Sequence, residues 1–270
     1  MHSVLFSLDH IVIHSFGACL AVAILACYFV LVRLGKSMGY GSDFASSILT
    51  VLIISGLIGA RLFYVAEHWS YYSQNPGSIV KVQEGGLVFY GGFILGAIAL
   101  AGFCLVRKVR VLDVLDLMAT AVPIGHAIGR VGCFLNGCCY GRASGSCIAV
   151  SFPKGSIPWI EQLDEGLIAS TAGRSLPVLP SQLIETALNL LVFGIMLLLF
   201  RRRRRPGSLA AAYAMLYAVA RFAVEFTRAD PRMHVGALSI GQIISVALFL
   251  GGLAATIALH RRPAPKPVRD

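Results

Sequence analysis

The sequence predicts an all-α integral membrane protein of about seven transmembrane helices, and three observations carry that expectation. Of 270 residues, 57% are hydrophobic and only 13% charged, against roughly 25% charged residues in a soluble domain. Seven apolar runs are long enough to cross a hydrocarbon core about 30 Å thick, which takes about 20 helical residues each. The basic residues fall in short clusters between those runs, so the formal charge of +10 reads as orientation in a membrane and not as a nucleic-acid surface.

The expected spans are Ile11 to Val32, Ser47 to Ala66, Gly86 to Val106, Val111 to Ile128, Gln182 to Phe200, Leu209 to Thr227 and Leu238 to Leu259. Together they make one transmembrane domain over 1–260, followed by a short basic tail over 261–270, RRPAPKPVRD, whose composition is that of a disordered segment. The first ten residues carry no Lys or Arg and no cleavage pattern follows, which argues against a removed signal peptide. With the N-terminus outside and the C-terminus inside, fourteen Lys and Arg lie on inner connections and seven on the outer side, the bias the positive-inside rule requires. The run Arg201 to Arg205 then reads as a cytoplasmic stop and lipid anchor. The connection 129–181 is polar and rich in Pro and Gly; it is expected to form a small extracytoplasmic head between helices 4 and 5, with Trp159 near the membrane interface.

Ionisable groups within spans are costly unless paired or hydrated, and so mark candidate sites. In the orientation above, His14, Arg61, Tyr90, His126, Arg130, Gln182, Glu185, Arg221, Glu225, Arg228 and Gln242 all fall in the outer half of the membrane. His126 and Arg130 are four apart on one helical face, and Tyr217, Arg221, Glu225 and Arg228 make one stripe. Arg221 with Glu225 also has a plainer reading as an i,i+4 pair locking the bundle. Asp113 and Asp116 stand apart, at the inner end of span four, where Arg107 or Arg110 is the expected partner. The span-three glycines, Gly96 foremost and then Gly91 and Gly92, read as close-packing sites.

Seven cysteines form neither a disulfide scaffold nor CxxC pairs. Cys133, Cys138, Cys139 and Cys147 are spaced five, one and eight apart, and the adjacent pair is an awkward ligand set for one tetrahedral ion. The reading is therefore no metal and no cofactor, with one disulfide or simple packing as the alternatives. What remains is a set of arginines with Tyr90, Asn136 and a glycine-rich turn, and no paired-carboxylate or Ser-His-Asp arrangement. Arg donates to phosphate in a fixed fork and stays charged, and turn N–H groups add to it, so a lipid phosphate is the anion that suits the site.

Four runs in order resemble the prolipoprotein diacylglyceryl transferase family, over nearly the whole chain. A GRxGNFxNGExxG-like run appears as Gly129, Arg130, Gly132, Phe134, Asn136, Gly137 and Gly141; a GGLxFHGG-like run as Gly85, Gly86, Leu87, Phe89, Gly91 and Gly92. An HPxQLYE-like run appears as Pro180, Gln182, Leu183 and Glu185, and a YGxxRFxxEFxR-like run as Tyr217, Arg221, Phe222, Glu225, Phe226 and Arg228. The resemblance implies a bacterial inner-membrane transferase with its site facing the outer leaflet and periplasm. It would move the diacylglyceryl group of phosphatidylglycerol to the lipobox cysteine thiol of a prolipoprotein signal peptide, releasing glycerol phosphate without a cofactor. It makes Arg130, Arg221 and Tyr90 catalytic candidates, to which His126, one helical turn before Arg130, is added as a substitute base, with Arg61, Asn136, Gly137, Gly141, Gln182, Glu185, Glu225 and Arg228 binding substrate among the membrane lipids. The chain departs from the pattern: Tyr90 stands where the family has histidine, Cys133 for Asn, Cys138 for an acid, Leu179 for His, Ile184 for Tyr and Phe16 for a usual Tyr. The base is then His126 or the leaving phosphate itself. A paralogue with another acceptor and a non-enzymatic phospholipid binder or translocator are the competing readings.

Overall fold

The computed structural model describes residues 4–8, 11–81, 85–203, 205–228, 234–236 and 238–261. Arg204, Arg232 and the tail from 262 onward lie outside the described residues, and with them part of the arginine run and the tail expectation. Seven helices are long and apolar enough to cross a membrane: α1 (Ser15–Lys36), α2 (Ser42–Glu67), α4 (Phe89–Val106), α5 (Val111–Asn136), α7 (Ser181–Phe200), α8 (Ser208–Glu225) and α9 (Ile240–Arg261). Short helices α3 (Trp69–Tyr72) and α6 (Ile157–Asp164), a 3-10 turn at Pro76–Ser78, and two antiparallel hairpins, β1 (Val4–Leu8) with β2 (Ile11–His14) and β3 (His234–Val235) with β4 (Leu238–Ser239), complete the order among the described residues. Large apolar side chains such as Phe29, Val106 and Leu198 point away from the protein, as lipid-facing positions do.

Two boundaries differ from expectation for local reasons. Ile11–His14 is a strand, not the first turn of α1; its β-branched run suits a pleated hairpin better than a helix start. Helix α5 continues through the expected loop to Asn136, and Gly125 and Gly132 let α1 lie close against it: a Cβ at Gly125 would stand 2.7 Å from Cys27 Sγ, and one at Gly132 2.9 Å from Cys19 Cβ.

The chain packs as two compact units, Met1–Val30 with Leu115–Asp270, and Leu31–Val114. In the second unit α2 and α4 cross on glycines. A Cβ at Gly91 would collide with the Gly59 carbonyl and Phe63, and one at Gly92 would come within 2.8 Å of the Gly56 carbonyl, whereas a Cβ at Gly96 meets nothing within 4 Å. The close-packing sites are therefore Gly91 and Gly92, and Gly96 is not one. Near the end of α2, Arg61 is 6% exposed. Its Nε donates to the Ile79 carbonyl, Nη1 to Gly85 and Gly86, and Nη2 to Ser78 and Lys81, at 2.7 to 3.3 Å. Those five bonds take up all five N–H donors of a guanidinium.

In the first unit Asp116, 0% exposed, is the electrostatic hub. Its Oδ2 accepts from Arg203 Nε at 2.7 Å and from Gly207 N at 2.8 Å; Oδ1 accepts from Leu209 N and Ala210 N at 2.9 and 2.8 Å. The carboxylate thus satisfies the open N–H groups that begin α8, where the helix dipole favours a negative charge. This corrects the expected pairing of Asp116 with Arg107 or Arg110, and gives Arg203 a buried role within a run read as a lipid anchor. Above it Ala119, Val192, Met196 and Leu209 form a core joined by Tyr213 and Leu216. The 137–180 head is built on bridges between Val150 and Val178 and between Pro153 and Arg174. Trp159 is 7% exposed and donates to the Ala172 carbonyl at 2.8 Å, so it packs into the core of the head.

Candidate active site

Helix α5 ends in a Schellman turn that shapes the signature. Gly137 N donates to Phe134 O and Cys138 N to Cys133 O at 3.1 Å, with Gly137 at φ +78, the left-handed position this cap favours for glycine. Cys139 follows at φ +61, which turns the chain back on the helix end. The sulfurs of Cys133, Cys138 and Cys139 consequently lie within 4.8 Å of one another. The Cys138 thiol donates to the Cys133 carbonyl at 3.7 Å, and Gln182 Nε2 donates to the Cys138 carbonyl at 2.8 Å. Hydrogen bonds from Cys133, then Cys138, and from Arg228 hold the Cys139 thiol below its usual range against the opposing effect of burial. All seven cysteines are free.

Gly141 closes the turn where no side chain fits: a Cβ would collide with Ser181 Oγ and the Thr227 and Leu179 carbonyls. Its bridge to Arg228 ties the signature to the end of α8. Arg130, one turn before the cap, places Nε 3.0 Å from Glu185 Oε1 of α7, and its terminal nitrogens have no hydrogen bond among the described residues. Arg221 Nη1 lies 2.7 Å from Glu225 Oε2, without the angles of a hydrogen bond. Glu225 Oε1 accepts from Ser239 Oγ at 2.7 Å and Gln242 Oε1 from Ser239 N at 3.0 Å, so Glu225 also joins α8 to the start of α9. Tyr217 lies where the charges of Glu185, Arg221 and Arg130 act on its hydroxyl. The His126 ring is 5.4 Å from the Tyr217 ring, with Nδ1 3.4 Å from the Tyr213 hydroxyl.

The structure therefore brings together Arg130, Asn136, Gly137, Gly141, Gln182, Glu185, Arg221, Glu225 and Arg228, with His126 one turn away. Arg61 and Tyr90 belong to the other unit; Tyr90 is 65% exposed on the first turn of α4, and Arg61 holds the loop described above. His14 is exposed at the end of β2. Tyr213 and Ser239 went unremarked in the sequence; their spacing from His126 and Glu225 gave no signal. Gln182 Oε1 is buried without a partner, an acceptor open to a ligand hydroxyl. Beside the cap, Asn136 and Gly137 meet Pro153, Lys154 and Ser156 around a cavity of about 300 Å³.

A multi-pass helical membrane protein with arginines gathered at one signature turn is the class that fold and site define. The family model for prolipoprotein diacylglyceryl transferase matches residues 3–258, and the chain belongs to that family. It is 32% identical to the phosphatidylglycerol–prolipoprotein diacylglyceryl transferase 2 of Clostridium perfringens over 244 residues, 89% of each chain. It is 32% identical to the phosphatidylglycerol–prolipoprotein diacylglyceryl transferase of Clostridium tetani over 253 residues, 94% of this chain and 96% of that one. A third relative of that name, from Cupriavidus necator, is 36% identical over 216 residues, 78% of this chain and 72% of its own.

Proposed function

We propose that this chain transfers the diacylglyceryl group of phosphatidylglycerol to the lipobox cysteine thiol of prolipoproteins, at the outer leaflet of a bacterial inner membrane. The observation that carries the reading is the signature arginine itself: Arg130 is oriented by buried Glu185 through one nitrogen and keeps its terminal nitrogens for a ligand. The excess of Lys and Arg on the connections assigned inside supports the outward-facing site.

The acceptor thiol loses its proton, and its sulfur attacks the glyceryl carbon that bears the phosphate. A C–S bond forms, the C–O bond breaks, and the phosphate leaves with the bonding pair. A phosphodiester with one charge becomes a monoester that gains a second, so guanidinium groups at Arg130 and Arg221 stabilise the transition state more than the bound lipid. Arg228 adds a further guanidinium. The unpartnered Gln182 Oε1 suits a hydroxyl of the glycerol headgroup. The proton passes to His126 or to the departing phosphate. The apolar groove of Phe222, Phe226, Val246 and Phe249 on α8 and α9 offers room for an acyl chain, and the cavity beside Asn136 room for the signal peptide.

The test is complementation of a transferase-depleted bacterium followed by the gel shift of a model prolipoprotein. Growth with a lipid-shifted prolipoprotein is the expected result; growth without lipid on the prolipoprotein cysteine overturns the reading. Undiminished transfer by His126→Gln assigns the proton to the phosphate.

A further inference from the structure

The three sulfurs at the α5 cap have a use that lipid transfer does not require. Adjacent cysteines are awkward ligands on an extended chain, but here the Schellman turn and the left-handed Cys139 direct both sulfurs back toward Cys133. Thiolate sulfurs about 2.3 Å from one ion lie about 3.8 to 4.0 Å apart. The observed spread is no more than 4.8 Å, within about 1 Å of that spacing. We propose that Cys133, Cys138 and Cys139 form a three-thiolate site for a soft closed-shell cation, Cu(I) or Zn(II).

The surroundings fit that ion class. A set of three sulfurs with no carboxylate among them selects thiophilic metals over Mg²⁺ and Ca²⁺. Three protein ligands complete a trigonal Cu(I) site, or leave Zn(II) one position for water. Three thiolates around a divalent ion carry one net negative charge, and around a monovalent ion two. Arg228, bonded to Cys139, and Arg130, whose charge acts on Cys133 and Cys139, are placed to offset it. The chain behind the ligands is also fixed, with Gln182 donating to the Cys138 carbonyl, the kind of outer support that sets ligand orientation.

The experiment uses the full chain, reduced and purified in detergent, titrated with Cd(II) as a spectroscopic probe and with Zn(II) and Cu(I). One equivalent per chain should give a thiolate-to-metal charge-transfer band, survive desalting as bound Zn(II) or Cu(I), and protect Cys133, Cys138 and Cys139 from maleimide in peptide mapping. Cys138→Ser should lose the band while Cys147→Ser keeps it, and Gln182→Ala should bind about tenfold more weakly. Displacement of Zn(II) by Cu(I) at equal concentration assigns the resident ion. The protection map on the unmutated chain decides the matter even where a serine variant misfolds. Absence of the band at one equivalent, or equal alkylation of the three cysteines with and without metal, overturns the proposal.

Discussion

Arg61 and Arg130 each stand near the end of an apolar helix, and the fold uses them in opposite ways. Arg61 commits every donor to backbone carbonyls of the 78–86 segment, so nothing is left for a ligand. Arg130 is oriented through Nε by one buried carboxylate and leaves the rest of its fork open. An arginine in a membrane segment is a functional candidate by default. The comparison teaches that the default is decided by what its donors meet: carbonyls of its own chain make a structural cross-link, and a single orienting carboxylate leaves donors for the ligand proposed at Arg130.

The largest effect expected from breaking this contrast is at the open arginine. Arg130→Lys keeps the charge beside Glu185 but loses the planar fork, and should lower the transfer rate by about 100-fold or more with the melting temperature in detergent nearly unchanged. Arg61→Lys should do the reverse. An ammonium has three donors where the guanidinium has five, so the 78–86 segment loses about 2 to 3 kcal/mol of anchoring. Limited proteolysis there should accelerate while the folded molecules keep their transfer rate. The smallest effect sharpens the packing side of the same unit. Gly91→Ala, which drives a methyl into the Gly59 carbonyl and Phe63, should cost about 1 to 3 kcal/mol in thermal unfolding, while Gly96→Ala, facing open space, should leave the unfolding curve in place.

The seven helices were legible because each is an uninterrupted apolar run, and run length in lipid is nearly sufficient. Arg130, Asn136 and Gly141 were legible through their spacing and family pattern. Other features depend on contacts that no local pattern encodes. Asp116 finds Arg203 and the start of α8 some 87 to 94 residues away, where nearer arginines had looked sufficient. The enclosure of Trp159 by the head, through its bond to the Ala172 carbonyl, is another such contact. The cysteine spacing of five and one argued against a shared ligand, yet a helix cap and one left-handed residue reverse the chain within that spacing and bring the sulfurs together.

The proposed transfer needs Arg130 to hold phosphate while Arg61 holds only the protein, and the most direct measurement is the affinity of each variant for phosphatidylglycerol in nanodiscs. Arg130→Lys should bind at least about tenfold more weakly, a difference of about 1.4 kcal/mol, and folded Arg61→Lys should bind as the unmodified chain does. Equal weakening by both substitutions, or undiminished binding by Arg130→Lys, would contradict it.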